Sequence, residues 1–326
     1  MAKYTIKRLL WMIPIVLGVT VLVFTLMCFT PGNPAEIILG TTATAEDLAA
    51  KTAELGLNDP YLVRLGRYMY QVFIQHDLGN SWITSVAIIP TIMERLPRTL
   101  MLTLCTMFIS FALGIPLGIV AATHQNRWQD SVSMVLALLG VAIPNFWLAL
   151  MLIIVFSVNL GWLPAMGIDA GIKSYILPAL AACMGSLATC ARQTRSSMLD
   201  VIRSDYITTA RSKGVPERDV VTKHALKNAL IPIITMAGST FGRLLGGMMI
   251  IETVFAIPGM GTYIIGAVNN RDYPIVQGGT IFLAITFSLC MLAVDLLYAA
   301  VDPRIKAQYA SKKKALKKQK EAAANG

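Results

Sequence analysis

Six stretches of this chain are each long and apolar enough to cross a lipid bilayer, and that limits it to architectures whose backbone polar groups are satisfied inside every segment. A hydrocarbon core of about 30 Å takes about 20 residues of helix at 1.5 Å per residue. The stretches run from about Leu9 to Phe29, Arg98 to Ala122, Ser131 to Val158, Tyr175 to Cys190, Asn228 to Ala256 and Val276 to Val301. The fourth has the weakest apolar signal, because Pro178, Gly185 and several small residues interrupt it. With 55% hydrophobic and only 14% charged residues, the composition is that of a membrane chain. The fold class expected is therefore an all-α polytopic membrane protein with six transmembrane helices and a long outer loop after the first. Lys3, Lys7 and Arg8 precede the first stretch as in a secretory leader. The apolar run is longer than a leader core and ends in Thr30-Pro-Gly-Asn-Pro34 without a small-residue cleavage pattern, so it is read as a retained helix.

Lys and Arg set the orientation. Three lie before the first span, one (Arg127) between the second and third, eight between Arg192 and Lys227, and eight from Arg304 onward. These twenty fall on one side of the six-span topology; Lys51, Arg64, Arg67, Arg95, Arg98, Lys173 and Arg271 fall on the other. Both termini are expected in the cytoplasm. The net charge of +10 is thereby accounted for by topology and by the tail Ser311-Lys-Lys-Lys-Ala-Leu-Lys-Lys-Gln-Lys320, not by nucleic acid. That tail is read as a solvated charge run, with anionic membrane lipid as its alternative partner. The five cysteines lie in or at the ends of apolar spans, so no disulfide framework is implied, and no cluster has metal-ligand spacing.

Four segments follow: residues 1–30 with the first span, an outer region 31–97, a core of five spans 98–301 with a cytoplasmic loop at about 191–227, and a basic tail 302–326. The outer region has helical stretches at Ala45 to Leu55 and Leu62 to Ile74. In the second, Leu62, Leu65, Tyr68, Met69 and Val72 form one apolar face, suited to the membrane surface or to an extracytoplasmic partner. Gly238, Gly242 and Gly246, four residues apart, and Gly114 with Gly118, are read as helix-packing positions. Pro116 and Pro144 are expected to kink their spans. Arg243, Glu252 and Asp295 are the intramembrane charges. Arg243 is open to structural pairing or to lining an aqueous pathway, and Glu252 lies near enough to the outer end to be partly wet. Asn145, with Phe146 and Trp147, is a further pathway candidate.

The loop before the fifth span carries the most specific signal. Asp205 is a plausible N-cap, Tyr206 to Lys213 form a short helix, and Gly214 suits a left-handed C-cap with Pro216 just beyond. A second helix runs from about Glu217 to Asn228 into the span. The result is a helix-turn-helix knob with Ile207, Ala210 and Val215 exposed near its turn. An ordinary basic helix on the membrane surface fits the periodicity equally well.

The wording of that loop, Asp205-Tyr-Ile-Thr-Thr-Ala-Arg-Ser-Lys-Gly214 followed by His224-Ala-Leu-Lys-Asn-Ala229, resembles the ATPase-docking loop of ABC-importer permeases in the dipeptide, oligopeptide and nickel branch, as their first (B-type) permease subunit. The general form of that loop is Glu-Ala-Ala, three residues, Gly, nine residues, Ile-x-Leu-Pro. Here Thr208-Thr209-Ala210 and Gly214 occupy its first part and His224-Ala-Leu-Lys227 its last, so the acidic residue and the final proline are absent. Other segments resemble the family in order along the chain: Pro31-Gly-Asn-Pro34, Leu55-Gly-Leu-Asn-Asp-Pro60, Asp77-Leu-Gly79, Arg195-Ser-Ser-Met-Leu199, Glu252-Thr-Val-Phe255, Pro258-Gly-Met-Gly261, Arg271-Asp-Tyr-Pro-Ile-Val-Gln-Gly278 and Asp302-Pro-Arg-Ile305.

The resemblance implies a type I importer permease fold and a subunit of a binding-protein-dependent importer of dipeptides or oligopeptides in a bacterial or archaeal cytoplasmic membrane. It places docking at Asp205, Tyr206, Thr209, Ala210, Arg211, Gly214, Val215 and His224. It also implies a second homologous permease, two cytoplasmic ATPase subunits carrying ATP and Mg, and an extracytoplasmic binding protein. No phosphate-binding Gly-x-x-x-x-Gly-Lys-Ser/Thr motif occurs, so this chain is expected to be non-catalytic, with no cofactor of its own. Relatives carrying glutathione or nickel complexes are the alternative substrates. An ion-coupled secondary transporter using Arg243, Glu252 and Asp295 is the rival class, though no internal repeat supports it. A membrane enzyme is a weaker rival, since His76, His124 and His224 are scattered.

Overall fold

The computed structural model describes residues 2–40 and 42–301, without the side chains of 2–4, 7, 295 and 297–301. Among them the chain is helical and contains no extended strand. The helices are α1 (Ala2–Phe29), α2 (Pro34–Leu39), α3 (Ala45–Glu54), α4 (Tyr61–Phe73), α5 (Ile88–Thr123), α6 (Trp128–Ala142), α7 (Asn145–Leu152), α8 (Ile176–Ile202), α9 (Asp205–Ser212), α10 (Glu217–Asp219), α11 (Leu226–Val254), α12 (Met260–Asn269) and α13 (Tyr273–Val301). Asp295 falls in α13, but its side chain lies outside the described residues, as do the Asp302-Pro-Arg-Ile305 segment and the basic tail.

Among the described residues five helical stretches are long and apolar enough to cross a membrane, and α6 with the helix after it forms a pair bent by 96° that is either a sixth, broken span or a re-entrant loop. The spans differ from expectation at their ends. α5 starts at Ile88, ten residues before the expected Arg98. It also passes Pro116 without a break, and Pro232 likewise lies inside α11. Pro144, by contrast, ends a helix: α6 stops at Ala142, and α7 starts at Asn145 and continues as a π-helix over Ile153–Asn159. The fourth span, weakest in apolar signal, runs from Gly171 to Ile202 and is the most enclosed, with 72% of its core window buried against 22% for the first. Small residues permit this close packing, and they are also what lowered its hydropathy.

The chain divides into two compact units. The first comprises residues up to 109, 143–183 and 243–289. One of its apolar clusters joins Val23 and Met27 of α1, Val72 of α4, Ile88 and Ile92 of α5, and Met260 and Ile264 of α12. The other joins Leu102 of α5, Leu177 of α8, and Met248, Ile251 and Phe255 around the end of α11. α4 docks on α1 through aromatic rings, with Tyr61 and Tyr68 at 5.8 and 5.6 Å from Phe24. Leu62, at the start of the apolar face of α4, is 76% exposed, and Tyr61 makes the contact with α1 at that end.

The second unit comprises 110–142, 184–242 and residues from 290 on. α5 and α8 approach backbone to backbone within it. A Cβ on Gly114 would lie 3.0 Å from the Leu187 carbonyl, and one on Gly118 would lie 2.6 Å from that of Ala191. Gly238 also sits at a close contact, where a Cβ would lie 2.9 Å from Val294 Cγ1. Gly246 does not: it is exposed, and a Cβ there would meet nothing within 4 Å. Eight residues along a helix rotate the face by about 80°, so a run of i, i+4, i+8 glycines leaves a straight line of contact.

Candidate functional site

The knob belongs to the second unit. Ser204, not Asp205, holds the N-cap position of α9, and its carbonyl accepts from the Ile207 and Thr208 N–H groups at 3.1 and 3.3 Å. α9 ends in a Schellman turn: Val215 N–H donates to the Ala210 carbonyl at 3.3 Å and Gly214 N–H to that of Arg211 at 2.9 Å. Gly214 has φ +76°, the left-handed conformation that glycine adopts without steric cost. Pro216 then starts α10, which passes through a π-helical turn (Val220–Ala225) into α11.

Ile207 and Ala210, expected near the exposed turn, point inward. Ile207 is fully buried and Ala210 nearly so, in a cluster with Ala122, Met198, Val220, Val221, Ala225 and Ala229, and Val215 packs at its edge. A helix of two turns carries a single apolar stripe, and here that stripe closes the underside of the knob. The outward face is polar: Asp205, Tyr206, Thr208, Thr209, Arg211 and Gly214 are exposed, as is His224 in the π-helical turn.

Polar contacts fix the knob's two arms. Arg211 grips Glu217 with both nitrogens, at 3.0 and 2.6 Å, and Asn228 Nδ2 donates to the Tyr206 hydroxyl at 2.7 Å. Behind it, Arg195 of α8 makes a bidentate pair with Asp130 of α6 at 2.6 and 2.7 Å, and Asn126 N–H donates to the same carboxylate at 3.1 Å. Asp130 is buried, so this pair ties the first turn of α6 to the helix that leads into the knob. The sequence carries no sign of it, because the partners are 65 residues apart.

Glu252 belongs to the first unit. It is fully buried at the end of α11, where its carboxylate accepts from the Thr262 N–H at 3.0 Å and from the Thr99 hydroxyl. Thr99 in turn accepts from the Met260 N–H at 2.8 Å. An acid thus sits on the otherwise unpaired N–H groups at the start of α12, where the helix dipole favours negative charge. The glycines of Pro258-Gly-Met-Gly261 make room for it: a Cβ on Gly259 would overlap the carboxylate, and one on Gly261 would lie 2.6 Å from Met249 Cα. Thr99 is the residue that sequence reasoning missed.

Asp272 performs a similar task, accepting from the Ser81 hydroxyl and from Trp82 N–H at 3.1 Å. Its neighbour Arg271 fills the space a side chain at Gly32 would need, so Pro31-Gly-Asn-Pro34 and Arg271-Asp-Tyr-Pro274 meet in the fold. The remaining pathway candidates do not converge. Arg243 is exposed on α11 and Asn145 is exposed at the start of α7.

A chain of five long apolar helices and one bent helix pair, with a buttressed helix-turn-helix knob between α8 and α11, is a polytopic membrane protein. A chain from an inward-facing crystal form of the MetNI methionine ABC transporter shares this fold, with a TM-score of 0.56 and 21% identity over 66% of this chain and 97% of that one. The chain belongs to the family of binding-protein-dependent transport system inner membrane components, whose model matches residues 114–307, while the N-terminal model of the same systems matches 1–103. Curated relatives include the dipeptide transport system permease protein DppB of Alkalihalophilus pseudofirmus, 44% identical over 94% of this chain and 100% of its own length. The glutathione transport system permease protein GsiC of Salmonella paratyphi A is 43% identical, and a putative peptide transport system permease of Brucella abortus is 42% identical, each over 94% of this chain and 99% of its own.

Proposed function

We propose that this permease carries dipeptides or short oligopeptides into the cell, with both termini in the cytoplasm of a bacterium. A second, homologous permease completes the pathway, two cytoplasmic ATPase subunits supply Mg-ATP hydrolysis, and an extracytoplasmic binding protein delivers the substrate to the outer segment. The observation that carries this reading is the knob. Its polar face is exposed while an apolar cluster packs its underside on α5, α8 and α11, and a bidentate ion pair and a Schellman turn fix its two arms to each other. A rigid body of this kind passes displacement by a docked partner into the spans behind it. Asp205, Tyr206, Thr209, Arg211, Gly214 and His224 present the docking face, while Ala210 and Val215 shape it from beneath. Peptide transport in the names of relatives at 42 to 44% identity supports the substrate class, and GsiC supports glutathione, itself a short peptide.

The test is to tag the chain, solubilise its native membrane gently and identify what co-purifies. Recovery of a second permease and P-loop ATPases, with ATP-dependent peptide uptake once the complex and its binding protein are reconstituted, is the expected result. Recovery of the chain alone, still moving solute without ATP, would overturn it.

A further inference from the structure

The C-terminal end of α1 carries a cleft with no part in the docking knob. Its volume is about 380 Å³, between α4, the 78–85 segment and the first turns of α13. Several of the polar groups in its walls have no partner. Gln277 is 6% exposed and its side chain has no hydrogen bond among the described residues. The Tyr68 hydroxyl is buried without a partner, and burial pushes its phenol far above the usual range, so it stays a donor. Arg64 reaches only the Leu57 carbonyl, at 3.5 Å, and otherwise lies 6.0 Å from the centre of the Phe24 ring. A contact that long leaves a guanidinium largely unsatisfied. No carboxylate lines the cleft, and the nearby acids are engaged: Asp59 by Arg67 at 2.8 Å, Asp77 by the Gly79 N–H at 2.8 Å and Gln71 at 3.4 Å, Asp272 by Ser81 and Trp82.

Beside it lies an open apolar face of α1 over Leu17, Gly18, Val21, Leu22, Thr25 and Leu26, nearly three turns of helix. A Cβ on Gly18 would meet nothing within 4 Å, so this face is unobstructed. Tyr61 joins the two features, its hydroxyl 2.7 Å from Thr25 Oγ1 on the face and its ring against Phe24 in the cleft. We propose that this face and the cleft together bind one anionic phospholipid, with the phosphate held by Arg64, Tyr68 and Gln277 and an acyl chain along α1. Arg with neutral donors is the usual phosphate receptor. The absence of a lining carboxylate leaves nothing to receive the cation of a zwitterionic headgroup. This inference does not depend on the substrate or the ATPase partners.

The test is native mass spectrometry on the full chain in its extracted, delipidated complex, titrated with phosphatidylglycerol or phosphatidylcholine. One phosphatidylglycerol is expected to be retained about tenfold more tightly, because the choline cation of the other lipid would sit beside the Arg64 guanidinium with no lining carboxylate to offset the repulsion. Arg64→Gln and, independently, Gln277→Leu should reduce that preference. Arg67→Gln, which removes a guanidinium already held by Asp59, should keep it. The basic tail is unchanged in all three variants, so its own lipid attraction cancels. Equal retention of the two lipids, or an undiminished preference in both Arg64→Gln and Gln277→Leu, would overturn the proposal. Displacement by millimolar inorganic phosphate would also overturn it, by assigning the cleft to a free oxyanion.

Discussion

Glu252 and Gly214 reward opposite kinds of substitution. Removing the Glu252 carboxylate with Glu252→Ala leaves the Thr262 N–H and the Thr99 hydroxyl buried without acceptors. That costs about 2–4 kcal/mol, whereas Glu252→Gln, which keeps one acceptor, costs less. Thermal unfolding of the detergent-solubilised chain should rank them wild type, Gln, Ala. Equal melting of all three would mean that the carboxylate does not hold α12. Gly214 has open space around it but φ +76°, so a substitution there strains only the backbone, by about 1–2 kcal/mol for a β-branched residue and less for Asn. Gly214→Val should therefore insert normally yet deform the exposed turn and lower ATP-driven uptake, with Gly214→Asn nearer to wild type. Uptake at the wild-type rate by Gly214→Val would remove the turn from the docking surface.

At the scale of elements, the knob's strength is its underside. Ala210→Asp would place a carboxylate in the cluster around Ile207 and Met198, at a cost of several kcal/mol. It should unfold the knob itself, so loss of transport in that variant must be read alongside protease resistance of the 203–228 segment. Asp130 and Arg195 make a sharper probe. Removing either partner leaves the other charged and poorly solvated, and a double-mutant cycle should return a coupling of about 2–3 kcal/mol. A coupling near zero would mean that α6 is not anchored to α8 by this pair. The sequence made the knob's ends legible, since Gly214 and Pro216 act through local backbone geometry. Its inside and outside were not legible, because α9 is only two turns long and the residues that cover Ile207 come from α5, α8 and α10 to α11. Glu252 was legible as an oddity but not as a cap, because Thr99 is 153 residues away. Spans were read from hydropathy, which registers lipid contact. It therefore missed the first ten residues of α5, where Glu94 and Arg95 lie just before Arg98, and underrated α8, which packs through small residues.

For the whole molecule, topology depends on the broken span. α6, α7 and the π-helix that follows cross the membrane only if the two halves act as one span; otherwise the pair is re-entrant and returns to the side it left. The segment 31–87 lies after the first span and the knob after the fourth, so three spans separate them if the broken pair crosses and two if it re-enters. An odd number puts them on opposite membrane faces and an even number on the same face. The basic residues favour opposite faces, since eight lie between Arg192 and Lys227 and only three (Lys51, Arg64 and Arg67) between residues 31 and 87, with Arg95 just beyond. In a chain whose five cysteines are replaced, the exposed positions Thr84 and Thr208 can be converted one at a time to Thr84→Cys and Thr208→Cys. A membrane-impermeant maleimide should then label the first in intact cells and the second only in inverted vesicles. Labelling of both from one side would make the α6–α7 pair re-entrant, move the knob away from cytoplasmic ATPases and withdraw the docking assignment with it.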